Sequence, residues 1–530
     1  MVGRLNILLA FNLAVVTVVR AAGPVTSLVV SNGPVNPDGF QRNAVVVNSS
    51  FIGPVITGRK GDTFKINVIN QLTDPEMERT TTIHWHGLTQ DYTNWADGTA
   101  SVTQCPIAPN AEYLYEFQAH HAGTFWYHSH LSSQYCDGLR GAFVVYDPQD
   151  PHRDLYDVDD ESTIISLADW YHTAAKKISA TTHFGIPDAG LINGVGRHYR
   201  GLDTDKTKLT VIKVKKGKRY RMRLINMACD PMFKFYIEGH DVDIIEVDGI
   251  SHKKLTVDSL KIYAGQRYSF ILDANKRVDN YWIRSKPNAG LEQSFINGLN
   301  SAVLRYEGAP DVEPDPTDED DVIQKLNKPL KESKLAPLER LNVPGQPRPG
   351  GVDYALHLQW GFNKTTPNFM VNKKEMVAPS APVLLQILSG TTDPSKLLPK
   401  GMVYPLPMNS SVEISMSGGI LGIEHPLHLH GHSFDVVRVA GSNEYNYVNP
   451  VHRDVANTGG LRDNVTIRFR TDNPGPWFLH CHIDWHLVTG MGIIFAEGIN
   501  QTRTDIKPPA AWNELCAKYD ALPPDVKGGE

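Results

Sequence analysis

Apolar and polar residues alternate with period two in many short runs along the chain. Phe64 to Ile69 (Phe-Lys-Ile-Asn-Val-Ile), Leu209 to Val214 (Leu-Thr-Val-Ile-Lys-Val) and Val465 to Phe469 each place apolar side chains at every second position. That period turns one face of an extended segment to a core and the other to water, so each run predicts a half-buried β-strand. No long helical periodicity competes within the first 300 residues. With 43 Gly and 35 Pro the chain has ample material for tight turns between short strands. The pattern predicts an all-β protein built of sandwich or barrel domains.

Punctuation divides the chain. A length of 530 residues suggests three domains at roughly 150 residues each. Asp147-Pro-Gln-Asp-Pro151 closes the first strand-rich block, and Asp311-Val-Glu-Pro-Asp-Pro-Thr-Asp-Glu-Asp-Asp321 reads as a solvated linker or exposed loop. Pro344 to Gly351 reads as a further loop. The expected units are residues 22–150, 151–325 and 326–530. Residues 58–70 resemble residues 215–226: both place a glycine before an alternating strand that ends in Ile-Asn. Repeated copies of one β-domain, or shared turn chemistry alone, would produce that likeness.

Composition narrows the setting. The net charge of -6 with 21% charged residues offers no basic stripe, which argues against a nucleic-acid partner. Arg4, the apolar run Leu5 to Val19 and the small pair Ala21-Ala22 read as an export signal over residues 1–21. No later run is long and apolar enough to span a bilayer, so no membrane association is expected after cleavage. Sequons at Asn48, Asn363, Asn409, Asn464 and Asn500 suit a secreted glycoprotein. Of the cysteines, Cys105, Cys136, Cys229, Cys481 and Cys516, four can pair in an oxidising compartment and one is left for another task.

Candidate chemistry lies in four short segments. They are His84-Trp-His86, His128-Ser-His130, His425-Pro-Leu-His428-Leu-His430 and His480-Cys-His482-Ile-Asp-Trp-His486, which together hold ten of the 21 histidines. Imidazole suits copper, and a thiolate is the soft ligand of a blue copper site. A lone His-X-His needs no metal, because alternate residues of any strand share a face. Four such segments, one enclosing a cysteine, are another matter. On an extended segment His480 and His482 point one way and Cys481 the other, so Cys481 can serve one metal while its neighbours serve a different cluster. The two sites would then be joined by a covalent path on the order of 10 Å. Cys481, His486 and Met491 follow in the order of a blue copper loop, with His425 supplied from upstream.

These segments resemble the copper-binding motifs of multicopper oxidases, and among them fungal (basidiomycete-type) laccases most. Asn94-Trp-Ala-Asp-Gly98, Tyr135-Cys-Asp-Gly-Leu-Arg140, Leu167-Ala-Asp-Trp-Tyr-His172, Leu191-Ile-Asn-Gly194 and Arg453-Asp-Val455 also look like laccase signature stretches. The likeness runs in matching order over nearly all of the mature chain. It implies three cupredoxin-like Greek-key domains and four copper ions per chain, with a trinuclear cluster between the first domain and the third. By resemblance His425, Cys481 and His486 are the type 1 ligands, with Met491 axial, and His84 and His428 are those of type 2. The type 3 pair takes His86, His128 and His482 on one ion and His130, His430 and His480 on the other. Cys105 pairs with Cys516 and Cys136 with Cys229.

The resemblance also implies a reaction: one-electron oxidation of phenolic or aromatic donors, lignin-derived ones among them, coupled to four-electron reduction of O2 to water. The donor is expected at an exposed edge of His486, with Asp230 holding the phenol and accepting its proton. Asp97 relays protons beside the type 2 ion, and Asp484 gives support within the His-Cys-His loop. The protein is expected to act as a monomer. Met491 departs from the many high-potential fungal laccases that carry Phe or Leu there; a thioether stabilises Cu(II) and lowers the potential. Ascorbate, bilirubin or ferrous iron oxidation are the rival specificities, and a non-enzymatic copper or electron carrier the rival class.

Overall fold

The computed structural model describes residues 21–182, 184–201 and 207–528. The export signal read over Leu5 to Val19 lies outside the described residues. Strands dominate, arranged as three successive pairs of sheets.

The first pair is built from strands between Val25 and Tyr146. Thr63–Gln71 shows why the chain folds so: Phe64, Ile66, Val68 and Asn70 are buried and alternate with more open positions, as the sequence period requires. The facing sheet orders Ile56–Arg59, Arg140–Tyr146, Gly123–Ser129 and Ile83–His86 side by side. A seven-stranded and a five-stranded sheet, between Ile164 and Tyr306, form the second pair. Two five-stranded sheets and a small three-stranded ribbon, between Tyr354 and Glu497, form the third. Of the run read from Leu209, the strand itself covers Val211–Val214.

The likeness between residues 58–70 and 215–226 extends to three dimensions. Asn70 and Asn226 close equivalent strands: each side-chain oxygen accepts the backbone N–H two residues on, at 3.0 Å from Leu72 and 2.9 Å from Ala228. Each amide nitrogen donates to two backbone carbonyls. The two strands thus end on the same side-chain device.

The acidic stretch near residue 315 is exposed but is not a free linker. Its backbone accepts the Trp282 indole N–H at Asp315 (2.9 Å), and Arg197, Arg284, Lys286 and Arg305 hold Glu313, Thr317, Glu319 and Asp311. Cations on the edge of the second unit strap it down, which composition alone did not reveal. Onward, Pro329 and Pro337 bridge to Ser259 and His252 before the chain enters the third unit. The disulfides are Cys105–Cys516 and Cys136–Cys229, and Cys481 is free and buried.

Candidate metal centre

Strand register brings the histidines together. In the first unit His84 lies directly across from His128, and in the third His428 lies across from His480. Cross-strand partners sit about 5 Å apart with side chains on one face, so each pairing delivers two imidazoles to the same side. His86, His130, His430 and His482 extend these rows by two residues. The two rows face each other across the contact between first and third units: His86 stacks on His428 with ring centroids 3.8 Å apart, and His84 lies 4.0 Å from His430.

Hydrogen bonds at the outer nitrogens fix what the inner ones can do. The Nδ1–H of His84, His128, His428 and His480 donates to the carbonyls of Asp97, Ser129, Asp454 and Cys481 at 2.8–2.9 Å. A carbonyl only accepts, so Nδ1 carries the proton and Nε2 presents a lone pair. The Nε2 atoms of His84, His128 and His428 are buried and lack a hydrogen-bond partner. His430 Nε2 lies 3.0 Å from His480 Nε2, which is 3.4 Å from His130 Nε2; His482 Nε2 lies 3.2 Å from His86 Nδ1. For His430 and His480, whose Nδ1–H groups donate to Asp97 and to the Cys481 carbonyl, these are facing lone pairs, which repel unless a cation lies between them. His130, His430 and His480 form one such group, and His84 joins His86 and His128 in another.

The electrostatics agree. Burial, reinforced by neighbouring imidazoles, holds His86, His128, His130, His428, His430 and His480 well below the usual histidine range. Burial brings His482 down to about 3. These rings are therefore neutral at pH 7 and free to ligate.

On the other face of the same strand end, Cys481 Sγ lies 3.6 Å from the Nδ1 atoms of both His425 and His486, which are 3.1 Å apart. His425 donates its Nε2–H to Ile420 O, leaving Nδ1 as the inward acceptor. Burial lowers His425 to about 4 and His486 well below its usual range. Burial pushes the Cys481 thiol far up, so a thiolate here requires a bound cation. Met491 is fully buried, and its backbone closes the loop by accepting the Cys481 N–H at 3.0 Å and donating to His486 O at 2.9 Å.

The carboxylates take distinct places. Asp97 accepts the Thr99 hydroxyl (2.6 Å) and His430 Nδ1–H (3.0 Å), while its carbonyl holds His84. Gly98 permits that turn: a Cβ there would lie 1.7 Å from Ile83 O, and φ is +81°. Asp484 is buried beside His480, His482 and Tyr135, and burial together with Asp169 raises its carboxyl well above the usual range. Asp230 is half-buried; burial and then Asp169 raise it to about 7, and its charge is felt at Cys481.

One expectation fails. The edge of His486 is not open, since the residue retains 3% exposure. Phe369 lies 4.7 Å from its ring and Phe184 5.9 Å, both from segments outside the motif. Sequence reading also missed Thr99, the carboxylate of Asp454 near His86 (3.4 Å), and Asp169, which accepts the backbone N–H of Cys229 and Asp230. Asp454 and Asp169 both lie in the signature stretches, which was the available signal.

Family models described as multicopper oxidase match residues 29–150, 161–309 and 376–501. The chain belongs to the multicopper oxidase family. It is 56% identical over 506 residues to Laccase-4 of Trametes villosa, with 95% of each chain covered. It is 55% identical over 501 residues to a laccase of Phlebia radiata, covering 94% of this chain and 95% of that one. Its fold matches the crystal structure of a laccase from Botrytis aclada with a TM-score of 0.82 at 32% identity, over 96% of this chain and 94% of that one. Fet3p, a multicopper oxidase that functions in iron import, matches with a TM-score of 0.80 at 26% identity, over 94% and 96%. With copper as its cofactor, the protein is a laccase-like multicopper oxidase of three cupredoxin-like domains.

Proposed function

We propose that this enzyme is a secreted, monomeric laccase that takes single electrons from phenolic and other aromatic donors beside His486 and reduces O2 to water within the histidine cage. One observation carries the reading: Cys481 turns its sulfur to His425 and His486 while the flanking His480 and His482 join the cage. His425, Cys481 and His486 would hold one copper, with Met491 beside them, and the eight other motif histidines would hold the cluster in the sets that the resemblance implies.

Bound copper supplies a one-electron acceptor at the thiolate site and a store of several electrons in the cage. The chain does the rest. Phe184, half-buried, gives a donor ring an apolar seat over His486, and the fully buried Phe369 keeps water from that imidazole. Asp230 takes the phenolic proton as the electron leaves, since loss of both together avoids a high-energy cation. The backbone from Cys481 to His480 and His482 joins the two sites covalently. Asp97, tied to His84 and His430, stands beside the cage as the proton relay. Among the described residues no helix is long and apolar enough to cross a membrane. Exposed sequon residues Asn48, Asn409 and Asn500 fit the secreted reading.

Oxygen uptake compared across a phenol, ascorbate, bilirubin and Fe(II) tests the proposal. Phenol is expected to be turned over fastest, at four electrons per O2 and without peroxide release. A blue, copper-loaded protein that consumes no oxygen with any donor would instead be an electron carrier.

A further inference from the structure

The middle unit, whose strands run from Ile164 to Tyr306, supplies none of the ten motif histidines, yet one of its turns reaches the cage. Gly265 lies in that turn with φ at +85°; a Cβ there would meet His482 Cδ2 at 2.8 Å and His86 Cε1 at 3.1 Å. The turn's backbone therefore packs directly on imidazoles of the first and third units, at a place where any side chain would displace them.

Two residues on, Arg267 is fully buried. Its Nη1 and Nη2 each donate to one oxygen of Asp454 at 2.7 Å, a bidentate pair. Its Nη1 also donates to the carbonyl of Gly265 and its Nε to that of Thr124, both at 3.0 Å. Asp454 in turn touches two cage rings. Its carbonyl accepts His428 Nδ1–H at 2.9 Å, and its Oδ1 lies 3.4 Å from His86 Nε2. Those two rings are the ones that stack, 13° from parallel.

We propose that Arg267 is a positioning residue for the histidine cage: by fixing Asp454 from the middle unit, it sets the orientation of His86 and His428 at the junction of the other two. The guanidinium suits the task because its planar fork specifies the carboxylate's plane as well as its place, which an ammonium does not. Outer partners of metal-binding histidines commonly govern affinity by tenfold to a hundredfold. The competing explanation is that the pair merely glues units together. Glue and positioning differ in which copper is lost when the pair is weakened.

The inference rests on the eight cage histidines being copper ligands. The experiment uses the full-length, copper-loaded enzyme and its Arg267→Lys variant, challenged with a chelator. Total copper and the type 2 EPR signal report on the cage, and blue absorption and its redox potential on the Cys481 site. Arg267→Lys is expected to lose cage copper about tenfold or more faster than the native enzyme, with blue absorption and potential unchanged. Equal rates would overturn the proposal, and so would parallel loss of the blue band, which is the mark of glue. If Arg267→Lys does not accumulate, Asp454→Asn, which keeps the carbonyl on His428 but breaks the bidentate charge pair, must show the same selective loss; native-like retention would overturn the proposal there too. A native enzyme without any type 2 signal would instead count against the ligand assignment.

Discussion

At the scale of single residues, the candidate ligands divide by what surrounds each nitrogen and sulfur. Met491 is buried within the loop that carries Cys481 and His486, and Met491→Leu is expected to raise the potential of that copper. Each tenfold loss of preference for Cu(II) over Cu(I) corresponds to about 60 mV, so redox titration resolves the effect; an unchanged potential removes the axial role. Asp230 gives a second expectation. With its carboxyl raised to about 7, it is protonated below that pH and ionised above, so its capacity to take a phenolic proton grows as pH rises through 7. Asp230→Asn should lower kcat/KM for phenols by about tenfold to a hundredfold and flatten this pH dependence, while a donor that loses no proton is spared. The convergence of the candidate ligands was legible because His-X-His on a strand leaves few geometric choices. Thr99, Arg267 and the cover over His486 were not, because each acts across a contact between segments far apart in sequence.

At the scale of elements, two antiparallel registers and one turn do most of the placing. The rows His84–His128 and His428–His480 arise from antiparallel pairing, so the period of two that predicted the strands also predicted which side chains share a face. What the period could not give was the angle at which the two rows meet. The C-terminal helix Ala510–Asp520 adds a tie: Trp512 Nε1–H donates to Thr103 O at 3.0 Å, and Cys516 bonds Cys105. Replacing both cysteines by serine is expected to cost about 2–5 kcal/mol of stability in chemical denaturation, with copper content and blue colour retained. Loss of colour without loss of stability would mean that this helix shapes the metal sites. The acidic stretch near residue 315 shows the limit of composition. Its charge predicted exposure correctly, but the three arginines and one lysine that pin it come from segments elsewhere.

For the whole molecule, burying so many neutral histidines makes copper and folding interdependent. In the copper-free protein the folded rings resist protonation, with His425 near 4 and His482 near 3, whereas an unfolded chain takes up protons below about 6.5. The unfolded state then binds more protons, so stability should fall as pH drops below about 6.5 and keep falling toward those folded values. Urea midpoints of the copper-free protein across pH 4 to 8 check this, and a flat profile would show that the rings are not held neutral. Copper, bound only by the folded form, should raise the midpoint and blunt the slope. One strand end would serve two metal sites from opposite faces. Copper content of Cys481→Ser, read with its visible and EPR spectra, tests that most directly. The expected protein has lost blue absorption and one copper ion per chain but keeps the type 2 signal; loss of the whole copper complement, or a persisting blue band, would contradict it.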